Sequence, residues 1–156
     1  QYQPGNFPAA KHAQVAETLE ELAAKVASEG CMGETMGALL AARQLRTSTD
    51  HQVSEILRTV IHEEARHGAL AWRTILWAVG VGGEPVLEAA KKVLEREMAK
   101  HALGASILEI PTQEKMAEAA TLERFGIISP EAAQQLMGKQ GVALVSALLE
   151  HLLKHC

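Results

Sequence analysis

Two histidines, two glutamates and an arginine crowd the stretch VIHEEARHGALAW, residues 60–72. Its neighbours read as a helix, and the buried face of a helix rarely accepts such groups without a partner. Each helical residue turns by about 100°. With Glu64 at the centre of a face, Val53, Leu57, Val60, Gly68, Ala71 and Ile75 all fall within about 40° of it. Glu64 is therefore expected in the middle of the apolar stripe. His67 is expected about 60° to one side and still inward. Arg66 points the opposite way, and Glu63 lies at the rim.

A carboxylate and an imidazole three residues apart on one helix are neighbours and can bind the same ion. This is the Glu-x-x-His unit of dinuclear carboxylate bundles, which also require a Glu from an adjacent helix. The segment GCMGETMGALLAA supplies Glu34. Counted the same way, Ala23, Ala27, Gly30, Gly37, Ala38, Ala41 and Leu45 share its face. These are almost all small residues, so another helix can come close, and Glu34 is the only large polar group among them. A buried Glu–His pair without metal, or charges that meet a partner subunit, would leave the same pattern. Hard carboxylate oxygens with imidazole suit Fe or Mn better than Cu⁺.

The elements that must position these groups are all helical. Residues 1–8 form an irregular lead-in punctuated by Pro and Gly. A helix is expected from about Ala9 to Gln44. A second, capped by Asp50 or Thr49, runs to about Val79 and stops at GVGGEP. A third covers Pro85 to about Leu108, where EIPT breaks it. A fourth spans about Thr112 to Phe125. The last starts at Ser129-Pro130, a cap followed by proline at the first helical position, and reaches Lys154. No strand alternation, linker or short repeat interrupts this order. The expectation is a single all-α domain over residues 1–156, a bundle of long antiparallel helices.

Composition narrows the function. The 156 residues carry a net charge of −4, which gives no basic footprint for nucleic acid. No apolar run is long enough to span a bilayer. The chain opens with Gln1 and shows no signal-peptide pattern, so a processed product or a fragment is expected, and the compartment is not readable. Cys31 and Cys156 lack zinc-type spacing and are expected to be unpaired thiols. The only tyrosine, Tyr2, lies in the lead-in, which disfavours a buried tyrosine radical. GVGGEP follows a helix and fails the context of a dinucleotide-binding loop. Glu97 and His101 lie near an apolar stripe but read as a solvated i,i+4 pair. His151 and His155 flank a terminus expected to fray. His12, His51 and His62 read as surface residues, and Trp72 and Trp77 as core or interface fillers.

The segments EGCMGETMGALLAARQ and IHEEARHGALAWRTILWAV together resemble the C-terminal half of bacterial ferritin-like domain proteins. That family carries a Gly-Cys-x-Gly-Glu-Thr segment followed by Glu-Ala-Arg-His-x-x-Leu-Ala-Trp-Arg. The resemblance covers about residues 15–79 and, weakly, the tail from Leu122 onward. It implies a ferritin-like fold and a metal-binding bundle, commonly di-iron, acting on Fe²⁺ or a small substrate with oxygen or peroxide. The implied ligands are Glu34 and Glu64, as bridging or capping carboxylates, and His67 as a terminal ligand. Family members have an earlier half with its own Glu and Glu-x-x-His helices. Here the region before Glu34 offers Glu17, Glu20, Glu21 and Glu29 but no Glu-x-x-His. The chain thus holds half a site, which a homodimer or a different chain would complete. Otherwise the fold is a non-catalytic subunit of a larger assembly.

Overall fold

A computed structural model describes residues 16–106 and 113–155. Thr18 caps the first helix, its hydroxyl accepting from the Glu21 N–H, while the Glu21 carboxylate accepts from the Glu17 N–H. Helix α1 (Leu19–Lys25) passes without a break in helical backbone into a π segment, π1 (Val26–Glu34), and on into α2 (Thr35–Thr47). The expected start near Ala9 lies outside the described residues, but residues 16–18 are not helical, so this helix begins at Leu19.

The π segment also corrects the expected face. Hydrogen bonds that reach five residues back widen the turn, and π turns are frequent at functional sites. Across this segment the buried residues are Ala23, Ala27, Cys31 and Met32, followed by Met36 and Ala41. Cys31, rather than Gly30, is the fully buried residue of that stretch, and it is a free thiol. Cys156 lies outside the described residues.

Three residues separate α2 from α3 (His51–Gly82). The Asp50 carboxylate accepts from the Gln52 and Val53 N–H groups, 2.9 and 3.0 Å away, and so satisfies two donors that a helix start leaves open. Side-chain neighbours then descend the first helix as they climb the second. Gly37 faces Glu64, Glu34 and Thr35 face Gly68, and Gly30 faces Ala71. The pair is therefore a helical hairpin running in opposite directions. At Gly30 a Cβ would sit 2.6 Å from the Ala71 Cβ, so a side chain there would push the two helices apart.

Gly83 turns the chain with φ of 71°, a left-handed conformation that only glycine enters cheaply, and its N–H donates to the Val79 carbonyl. Helix α4 (Glu84–Ser106) follows immediately. Helix α5 (Gln113–Glu123) ties back to the hairpin bend through an Arg43–Glu123 ion pair at 3.2 Å and a Gln44 side-chain bond to the Gly126 carbonyl. Ser129 caps α6 (Pro130–Leu136), with Pro130 at its first position as the sequence requires. A second π segment, π2 (Met137–Gly141), joins α6 to α7 (Val142–His155).

The core is narrow. Ala23, Ala27, Ile75, Ala78, Val86, Ala90, Leu94, Val145 and Leu149 build it from α1, π1, α3, α4 and α7. It lies along the C-terminal half of α3: the first buried residue of that helix is Gly68. Val53, Leu57 and Val60, in the N-terminal half, are only half-buried. The chain is thus an all-α helical bundle, with no strand among the described residues.

Candidate metal centre

The three residues singled out by spacing converge where π1 ends. Glu34 is the last residue of π1, and Glu64 and His67 stand one turn apart on α3. One ligand atom from each can be chosen so that all lie within 4.8 Å of one another. His67 Nδ1 is 3.7 Å from a Glu34 carboxylate oxygen. The glycines open the space. Gly37 presents no side chain to the Glu64 carboxylate, and Gly68 presents none to Glu34.

Burial differs from the expectation at one position. Glu64 is half-buried and Glu34 retains about a third of its side-chain exposure, but the His67 side chain is 61% exposed. His67 does not face the core: no described residue packs over that flank of α3. Angular counting places a residue relative to the apolar stripe, but it does not reveal whether anything lies opposite.

The electrostatics are those of two carboxyl groups competing for one space. A hydrogen bond with Glu34 raises the Glu64 carboxyl above the ordinary range. Desolvation and the Glu34 charge act in the same direction, and His67 partly opposes them. The two carboxyl groups thus face one space, which a proton or a cation would serve. The paired acceptor expected for Glu64 is therefore Glu34, not His67.

The weaker candidates disperse. The Glu97 carboxylate binds Arg96 and Lys100 of its own helix, at 2.8 and 2.9 Å, which hold it below the usual carboxylate range. It pairs with those residues rather than with His101. His155 donates from Nδ1 to the His151 carbonyl oxygen at 2.8 Å, an intrahelical contact on an exposed turn. His51 and His62 are exposed, and His12 lies outside the described residues. Among the described residues no second trio of His, Cys, Asp or Glu gathers as closely.

One feature beside the centre has no signal in the sequence. An apolar groove of about 380 Å³ runs from Glu64 between α2, α3 and α7, past Ala38, Gly68, Trp72, Leu144 and Leu148. It exists because α7 returns to lie beside the hairpin, a long-range arrangement that local pattern does not encode.

Neither family models, curated proteins nor solved structures match this chain. The site therefore rests on its own geometry.

Proposed function

We propose that this chain is a metal-binding bundle of ferritin-like type, with iron as the expected ion and manganese as an acceptable substitute. The observation that carries the reading is the approach of the Glu34, Glu64 and His67 donor atoms to within 4.8 Å. An ion held at about 2.0–2.2 Å from oxygen and nitrogen donors needs them no more than about 4.4 Å apart. Only one pair among three donors can lie on opposite sides of an ion, so binding would draw the remaining pairs closer by side-chain rotation. Two hard carboxylates and one borderline imidazole form a donor set for Fe²⁺ or Mn²⁺.

Bound iron would supply one-electron chemistry toward oxygen or peroxide, with Fe²⁺ itself or a small molecule as the species oxidised. The protein's part is more specific. A cation arriving between Glu34 and Glu64 would take the place of the proton between them, which would leave to water. The imidazole of His67 would supply a ring nitrogen from the exposed flank, where the released proton reaches water directly. The apolar groove at Glu64 would admit a small, weakly polar substrate.

Three protein ligands leave such a centre incomplete, because dinuclear carboxylate bundles draw on four helices. Closure by a second copy of this chain, or by a different chain, belongs to this reading. A non-catalytic subunit is the alternative. It is favoured by the hydrogen bond between Glu34 and Glu64, which raises the Glu64 carboxyl and leaves the pair partnered without an ion. Metal analysis separates the two. Protein loaded anaerobically with Fe²⁺ and desalted should retain iron, and Glu64→Gln should retain much less. Equal iron in the two proteins would remove Glu64 from the ligand set.

A further inference from the structure

Helix α3 carries a largely apolar seam that the described residues leave uncovered. Ile56, Leu70, Trp77 and Val81 are 63, 56, 56 and 62% exposed. Ile56, Glu63, Leu70 and Trp77 recur every seven residues, Val60, His67 and Thr74 fall between them at alternating four- and three-residue steps, and Val81 follows four residues after Trp77. A sustained repeat of this kind is the signature of a helix that packs along another helix. The seam lies on the flank of α3 away from α7, and His67, the exposed member of the metal trio, is part of it. Neither Glu63 nor Arg66, beside it, makes an ion pair among the described residues.

We infer that this seam is an isologous interface for a second copy of the chain, with the two α3 helices antiparallel and the two-fold axis at the depth of residue 65. The inference rests on the proposed metal centre, because the centre selects the register. Seam-to-seam packing is preserved only in registers that differ by seven residues. A register with the axis between residues 68 and 69 would set the two trios about 8 Å apart along the helix, from a rise of about 1.5 Å per residue. Paired metals sit about 3.5–4 Å apart. With the axis at residue 65 both trios share one level.

That register also pairs the free charges. It sets Glu63 of each copy against Arg66 and His67 of the other. Metal-ligating histidines commonly donate their second ring N–H to a carboxylate, which fixes the ring. His67 directs Nδ1 toward Glu34, so its other nitrogen is the one left for the partner's Glu63. On either side of this polar centre Val60 meets the partner's Leu70, and farther out Val53 meets the partner's Trp77. The interface has an apolar rim around a charged middle in which each charge has a counterpart.

The register can be read chemically in the metal-free protein. In a Cys156→Ser background, Val60→Cys with Leu70→Cys places the two thiols about 15 Å apart within a chain, too far for an internal disulfide. Mild oxidation after chelator treatment should convert this variant to covalent dimer at least tenfold faster than Val60→Cys with Trp77→Cys, the pair matched by the shifted register. Leu70→Glu, an exposed site that should leave the helical circular dichroism intact, should lower the light-scattering mass from two chains to one. A wild-type protein that is monomeric at 100 µM, or faster crosslinking of the 60/77 pair, overturns the interface. Cobalt titration of the same samples keeps the two readings apart. A dimer that binds no cobalt would refute the metal centre alone, and a monomer that binds it would refute the interface alone.

Discussion

Replacing Gly30 by alanine sets two effects of opposite sign against each other, and the hairpin geometry decides between them. Gly30 lies within helical backbone, where alanine is intrinsically favoured over glycine by about 1 kcal/mol. The added methyl, however, would lie 2.6 Å from the Ala71 Cβ. Carbon atoms in contact prefer about 3.5–4.0 Å, so the helices must part by about 1 Å. Forcing an extra methyl into a packed contact costs about 1–3 kcal/mol. The net expectation is a loss of up to roughly 2 kcal/mol, or a fall in Tm of up to roughly 8 °C for a chain of this size. Gly80→Ala is the matched control: it is also helical, with nothing within 4 Å of the new methyl. It should gain roughly 0.5–1 kcal/mol. Urea unfolding followed by circular dichroism gives both values. Gly30→Ala should also weaken iron retention, because a parting of about 1 Å one turn from Glu34 would carry its carboxylate away from Glu64 and His67. A Gly30→Ala protein stabilised as much as Gly80→Ala would refute the close approach of π1 and α3.

Two further outcomes follow from buried or crowded acids. In the metal-free protein the raised Glu64 carboxyl means that the folded state holds a proton that the unfolded chain releases earlier. Its stabilising contribution is complete below the ordinary carboxylate range and is lost as pH rises through the raised value. Glu64→Gln should therefore flatten the decline in stability above that range, and an unchanged pH profile in denaturant titrations would contradict the shared proton. Burial pushes the Cys31 thiol from 9.0 up to about 12. The folded thiol stays protonated while the unfolded one ionises, so stability should fall as pH rises above 9. In a Cys156→Ser protein, Ellman's reagent at pH 8 should leave Cys31 unmodified until denaturant is added. Rapid labelling of the native protein would place Cys31 outside the core.

The parts of the fold legible in the sequence are those written in local chemistry. Asp50 and Ser129-Pro130 mark helix starts because a side-chain oxygen, or a residue with no N–H, answers the open donors of the first turn. Gly83 marks a stop because the turn needs a positive φ. Thr18 and Glu21 carry a comparable start signal, yet the alanine-rich stretch before them reads as a continuous helix and hides it. Nothing in SEGCMGE announces a π turn. Both glycines there are compatible with either helix, and the wider turn is settled by what packs against it, Ala71 above all.

That distinction explains why the site could be read when the face around it could not. Glu64 and His67 are three apart on an uninterrupted α-helix, so their adjacency is fixed by backbone geometry alone. Glu34 reaches them across a hairpin with a three-residue connection, which leaves little freedom in how far along each helix the partners meet. The π segment ends at Glu34 itself, so the altered phase displaces the residues before it, and the ones toward the bend keep their α register. Cys31 consequently becomes the fully buried residue of that stretch, while Gly30, Glu34 and Gly37 face Ala71, Gly68 and Glu64. The exposure of His67 is a different kind of miss. A seven-residue repeat on α3 is visible in the sequence, but a single chain does not say whether its own helices or another copy's will cover it. The fold answers half of that question: α7 takes the groove flank and leaves the flank of Leu70 and Trp77 open. The metal trio and the uncovered seam therefore adjoin at one residue, His67, and any chain that closes the seam must also come within reach of the site.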